Sequence, residues 1–244
     1  MCYIWLFAAP GPRPPDMTAP AEPRIAFPPG TRVAVIDLDG TLLQGMNAER
    51  IFYLHLLVAG HVSIFRMLGF LFSVLRDVVR IGFRPAIGSN ARLLRGRTPG
   101  EVRQWANAFG QAFLRKAVPD DLRHKILSLK REGCRIVLLS GSLQLLVDQL
   151  KERLEAEILI GNDLEVAEGV LTGRKTGIFP YGRMKLDALF QRIDPEGVDW
   201  ARSWALADRF SDLPVLELVG RPVAVHADRR LRRLARAKGW ELIG

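Results

Sequence analysis

Two aspartates one residue apart, Asp37 and Asp39, close the apolar run in "RVAVIDLDGTLLQG" (32–45). Side chains two positions apart on an extended strand share a side, and where the chain turns both can reach one pocket. Two carboxylates that close repel, so one must hold a proton or a cation must stand between them. Magnesium meets that need: it prefers oxygen ligands, keeps several waters and binds through one or two carboxylates plus a substrate phosphate. A centre of this kind also requires another acid, a fixed cation and a cradle for phosphate oxygens.

Candidates for those parts follow in chain order. "LLSGS" supplies Ser140 and Gly141, a hydroxyl and backbone N–H groups expected at a helix N-terminus, where phosphate oxygens bind. "YGRMKLDAL" supplies Lys185 early in a helical pattern, as a point charge for a phosphate, in competition with Arg183 and Lys175. "ALADRFSDLPVLE" supplies Asp208 and Asp212, four apart. Simpler readings stand beside these: Ser140 as a helix cap, and Asp212 as the start of a helix before Leu213-Pro214. His55 and His61 sit in apolar segments without metal-ligand spacing and read as packing residues.

The elements that must position these residues are short β-branched runs, each followed by a helical pattern: "VAVID", "RIVLLS", "EILIG", "SWALAD" and "PVAV". Continuous apolar strands alternating with helices predict an α/β fold, a doubly wound parallel sheet covered on both faces. In such sheets ligands bind beyond the carboxyl ends of the strands, and three of the five runs end there in Asp37, Ser140 and Asp208. "DLEVAEGVLTGRKTG" (163–177) predicts a β-hairpin turning at Glu168-Gly169. Residues 45–117 carry helical spacing only, with Thr98, Pro99 and Glu101 as a capped helix start. The expected organisation is therefore a Pro-rich disordered leader over 1–30, a core over 31–44 and 118–244, and a helical cap inserted over 45–117.

In that order the four elements resemble the motifs of the haloacid dehalogenase superfamily, in its phosphoserine phosphatase-like branch with a small helical cap. "DLDGTL", "LLSGS", Lys185 and "DRFSD" carry the resemblance. It implies a magnesium-dependent phosphatase acting through an aspartyl-phosphate, with Asp37 as nucleophile and Asp39 as general acid and base. It further implies Ser140, Gly141 and Lys185 on the phosphoryl oxygens, Thr41 orienting the first loop, and magnesium on Asp37, the Asp39 carbonyl and Asp208, with Asp212 supporting. Two positions depart from the pattern. Ala207-Asp208-Arg209 replaces the usual Gly-Asp-Ser, which keeps a catalytically silent phospho-ligand-binding relative among the readings. Met46 stands where the serine phosphatases carry a glutamate for the substrate's amino group, so phosphoserine is a poor expected substrate.

Composition bounds the partners. The chain has 244 residues, 48% of them hydrophobic, enough to bury a sizeable core, and a formal net charge of +9 that favours an acidic partner. Residues 45–117 hold eleven Arg or Lys against Glu49, Asp77 and Glu101, so most of that charge lies in the insertion, interleaved with Phe, Leu and Met. Two readings follow: an ordinary cap core with solvated arginines, or a surface for anionic lipid and a phospholipid phosphate, like the bacterial phosphatidylglycerophosphatases of the C type. The basic run 229–240 lacks an interleaved aromatic platform, so no nucleic-acid partner is expected. Cys2 and Cys134 do not make a disulfide framework, which fits a reducing, cytoplasmic setting, with peripheral contact at the inner membrane face as the extension of the lipid reading. The apolar stretch 2–9 is too short to span a bilayer, and Met17 is an alternative start to Met1.

Overall fold

In the computed structural model, residues 24–81, 90–177 and 182–244 are described. Seven strands form one sheet: β1 (Arg32–Ile36), β2 (Cys134–Leu143), β3 (Ile158–Ala167), β4 (Val170–Thr176), β5 (Trp204–Ala207), β6 (Arg221–Val225) and β7 (Glu241–Ile243). Their order is β4-β3-β2-β1-β5-β6-β7, parallel throughout except for the antiparallel β3–β4 pair. The strand β1, which leads into Asp37, is thus central, with β2 and β5 on either side of it.

Period-two alternation explains why these strands are apolar throughout. Ala34, Ile36, Ile136 and Leu138 face one core cluster, and Val33, Val35, Val137 and Leu139 face the other, so both sheet faces are covered. Helices α4 (Asp120–Arg131), α6 (Met184–Arg192), α7 (Leu213–Leu218) and α8 (Arg229–Lys238) cross between strands, together with the four-residue α5 (Gln144–Val147). Gly133, with φ +89°, makes the left-handed turn from α4 into β2. The hairpin turns through Glu168 and Gly169, both at positive φ, the combination a two-residue type I′ loop needs. β3 runs without a break from the parallel sheet into the hairpin.

Between Gln44 and α4 the described residues form the helices α1 (Ala48–Val58), α2 (Ile64–Ile81) and α3 (Pro99–Phe109), the last continuing through a π-helical stretch, Gly110–Leu114. The start of α3 is a capping box, with Glu101 N donating to Thr98 Oγ1 at 3.2 Å and Thr98 N donating to Glu101 Oε2 at 2.8 Å. His55 packs on Phe109 and His61 stacks on Trp105, as residues of an aromatic core rather than ligands.

Two expectations need correction. A disordered leader reaching residue 30 is too long: Ile25 N donates to Arg192 O at 2.8 Å, Ile25 pairs with Ile193, and Phe27 packs on the core. Residues 1–23 lie outside the described residues. The second correction concerns Ser140, which does not cap a helix. β2 continues to Leu143 and α5 begins only at Gln144.

Candidate active site

The fold brings Asp37, Asp39, Ser140, Gly141, Lys185, Asp208 and Asp212 to the carboxyl ends of β1, β2 and β5. Asp37 extends β1, its N–H donating to Leu206 O at 3.0 Å, which sets it beside the end of β5 and hence beside Asp208. The loop turns back at once, with Leu42 N and Leu43 N both donating to Leu38 O. Gly40 sits at φ +93° with its α-carbon against the Asp208 carboxylate, so a β-carbon there would overlap Oδ2. Glycine is required at that point by both conformation and space.

Asp37, Asp208 and Asp212 each offer a carboxylate oxygen within 4.8 Å of the others, and all three are buried. Lys185, near the start of α6 and only 5% exposed, bridges two of them, at 2.6 Å from Asp37 Oδ1 and 2.9 Å from Asp212 Oδ1. Burial alone would lower the Lys185 pKa, but Asp37 and Asp212 reverse that and hold it above its ordinary value. Thr41 Oγ1 lies 3.1 Å from Asp37 Oδ2 and 3.3 Å from Asp208 Oδ1, and its single proton can serve either. Burial pushes Asp37 and Asp212 up while Lys185 pulls them back. Asp208, raised first by burial and then by Asp37, reaches about 7.

This donor set fits a divalent hard cation. Three carboxylates face one ammonium, and the remaining deficit is what an oxygen-liganded Mg²⁺ would balance. Arg209 contributes less than its position suggests: its Nε is 3.4 Å from Asp208 Oδ2, but its side chain is 66% exposed.

Asp39 is held apart from that cluster. Its Oδ1 accepts from Ala48 N at 2.7 Å, at the first residue of α1, and its Oδ2 accepts from Ser140 Oγ at 3.0 Å and Ser142 Oγ at 2.7 Å. Burial still raises its pKa above the ordinary carboxylate value, against those hydrogen bonds and with help from Glu49. Any part Asp39 takes in a metal site would fall to its backbone carbonyl, because its carboxylate is directed to the serines and α1. The two acids of the opening motif therefore have different surroundings, one among acids and an ammonium, the other among neutral donors.

Some residues here lack a sequence signal. Ser142 binds Asp39 more closely than Ser140 does, and Asn162 Nδ2 donates to Gly141 O at 2.6 Å, fixing the loop after Ser140. Ser140 Oγ also accepts from Ser142 N at 3.0 Å, a local turn that Ser-x-Ser spacing permits and that could have been read. The competing cations separate cleanly: Arg183 is exposed, and Lys175 pairs with Glu49 at 2.7 Å, where Tyr53 Oη also donates at 2.8 Å. Asp212 occupies the residue before α7, yet its carboxylate goes to Lys185 and makes no cap.

Known proteins share both sequence and architecture. The sequence pattern of the haloacid dehalogenase-like hydrolases matches residues 34–217. A phosphoserine phosphatase of Mycobacterium tuberculosis is 29% identical over 246 residues, which cover 94% of this chain and 77% of that protein. The crystal structure of a protein of unknown function from Bordetella pertussis superposes with a TM-score of 0.76 at 23% identity, over 88% of this chain and 99% of that one. A substrate-bound phosphoserine phosphatase superposes with a TM-score of 0.56 at 18% identity, over 87% and 92%. At those identities the solved structures speak for the fold, and the family rests on the sequence pattern. Because that pattern spans well over half of the chain, from inside β1 to inside α7, the protein belongs to the haloacid dehalogenase-like hydrolase family.

Proposed function

We propose that this hydrolase is a magnesium-dependent phosphomonoesterase that works through an aspartyl-phosphate on Asp37. One observation carries the reading: Asp37 is tied to Lys185 and grouped with Asp208 and Asp212, while Asp39, two residues on, is held separately by three hydrogen bonds. That separation suits two roles. An Asp37 oxygen attacks phosphorus as the ester P–O bond breaks, and Asp39, protonated at the outset, gives its proton to the departing oxygen. Asp39 then takes a proton from water, which attacks the phosphorus and releases inorganic phosphate and free Asp37. Lys185 and Ser140, with the Gly141 backbone, hold the phosphoryl oxygens as charge shifts between them. Magnesium, held by Asp37 and Asp208 with Asp212 in support, would supply charge neutralisation at the transferred group.

The relatives named phosphoserine phosphatases support the phosphomonoester class. For the leaving group, two features argue against phosphoserine. Met46 is packed against the core. Glu49, one helical turn further on, has its carboxylate occupied by Lys175 and Tyr53, so it offers no free charge to a substrate ammonium. A phosphate ester carried by a lipid is a second reading, favoured by the exposed apolar face of α2.

Turnover of an aryl phosphate by the purified chain, with and without magnesium and beside Asp37→Asn, tests the proposal. Magnesium-dependent release that Asp37→Asn abolishes supports it. Phosphate binding without turnover would instead establish the silent phospho-ligand-binding relative. A panel of phosphate esters then ranks the leaving groups, and efficient phosphoserine hydrolysis would overturn the exclusion drawn from Met46 and Glu49.

A further inference from the structure

The helix α2 packs one face on the rest of the protein, and its other face is apolar and, among the described residues, exposed. On the inner side Met67 is buried and Phe70 packs on the core. Also on that side Arg66 Nε donates to Leu93 O at 3.0 Å, and Asp77 pairs with Arg92. On the outer side, positions spaced by three and four residues carry Phe65 (82% exposed), Leu68, Leu71, Phe72 (70%), Leu75 and Val79 (81%). At 100° per residue these fall within about one third of the helix circumference, a continuous stripe. A stripe of large apolar side chains this long is more than scattered surface hydrophobics require.

The charge around the stripe selects what covers it. Arg76 and Arg80 lie along one edge of it and are exposed, and the only acid of α2, Asp77, on the inner side, is held by Arg92 at 2.5 Å and by Arg76 at 3.3 Å, so the edge keeps a net positive charge. The other acids of residues 45–117 are also engaged, Glu49 by Lys175 and Glu101 by the cap of α3 and by Arg97. A second copy laid on this face would bury the stripe but bring two strongly basic insertions together. An anionic lipid surface satisfies both the apolar stripe and its basic edge. Among the described residues no helix is long and apolar enough to cross a membrane, so the geometry is that of a helix lying in the interface.

We propose that α2 docks on an anionic membrane surface, with Phe65, Leu68, Phe72 and Leu75 inserted among the lipids and Arg76 and Arg80 at the headgroups. The inference stands independently of the catalytic reading, since it concerns binding alone.

The full chain is sedimented with phosphatidylcholine vesicles, with or without about 30% phosphatidylglycerol, at low salt and at about 0.5 M salt. The expected result is binding to the anionic vesicles at least about tenfold tighter than to the neutral ones, weakened by salt. Phe65→Ser/Phe72→Ser should lower that binding about tenfold or more, with melting temperature and turnover of a soluble aryl phosphate unchanged, because both side chains are exposed. No binding to anionic vesicles overturns the proposal, as does binding that the double variant retains. Sedimentation velocity showing a dimer that the same variant dissolves, without vesicle binding, assigns the face to a second copy. Vesicle binding that appears only after removal of residues 1–16 assigns it to that segment, and overturns the proposal for the full chain.

Discussion

Lys185 Nζ stands 2.6 Å from Asp37 Oδ1, a contact between residues 148 positions apart and both almost fully buried. Among the described residues this ammonium is the buried positive charge of the acidic cluster, with Arg209 reaching Asp208 from the exposed side at 3.4 Å. Lys185→Met should therefore destabilise the metal-free protein by about 3–5 kcal/mol, the usual cost of leaving one half of a buried pair alone. Chemical denaturation in the presence of a chelator measures this. Saturating magnesium should recover part of the loss without restoring turnover, because the phosphoryl oxygens still lack their cation.

Asp39→Asn should retain the fold and lose roughly 10²–10⁴ in kcat, the range for a general acid and base. The asparagine can accept from Ala48 N and the serines through one oxygen only, so a small loss of stability accompanies it. Aryl phosphates, whose leaving groups need little protonation, should be affected less than alkyl phosphates, and comparing the two separates proton transfer from misfolding.

Ser142→Ala removes a 2.7 Å donor from Asp39 Oδ2. Hydrogen bonding to the ionised form lowers a carboxyl pKa, so losing it raises Asp39 further. The alkaline limb of the pH profile should move to higher pH if Asp39 must be protonated, so that activity on that limb rises relative to the parent chain. An unchanged profile would mean that Ser140 and Ala48 N suffice to set Asp39.

Asp208, raised by burial and by Asp37 to about 7, should contribute to the pH dependence of metal binding beside Asp37 and Asp212, which burial also raises. Its folded pKa is above its unfolded value, so in chelator its contribution to stability is greatest at low pH and is lost as pH rises through about 7. Metal requires the ionised form, so magnesium affinity should rise with pH, about tenfold per unit below 7, and level off above it. Calorimetric titrations at several pH values, together with melting curves in chelator and in magnesium, check both signs.

Gly40→Ala should abolish magnesium binding and turnover, since the new methyl group would take the space of Asp208 Oδ2 and would force a left-handed φ on alanine. Tryptophan fluorescence and circular dichroism should still report a folded chain.

The clustered carboxylates are readable in the sequence because strand ends are readable: a short apolar run that stops on Asp37 or Asp208 announces both the element and the pocket. Lys185 was legible for the same reason, as a cation early in a helical pattern. Ser142 and Asn162 were not, because their partners lie 103 and 21 positions away and only the packing of β2 on β1 and β3 brings them together. The Glu49–Lys175 pair joins the insertion to the hairpin across 126 positions, a meeting that no local pattern encodes. β7 was missed because three exposed or half-exposed residues at a sheet edge carry no alternation. In α2 the composition showed apolar residues on most sides, and only the fold shows which side is left uncovered.

The hydrogen bond from Ala48 N to Asp39 Oδ1 gives the acid proposed to carry the proton a structural task as well. It fastens the first residue of α1 to the loop after β1, and it lowers the Asp39 pKa against the burial that raises it. The position of α1 and the proton affinity of Asp39 are therefore tied to one contact.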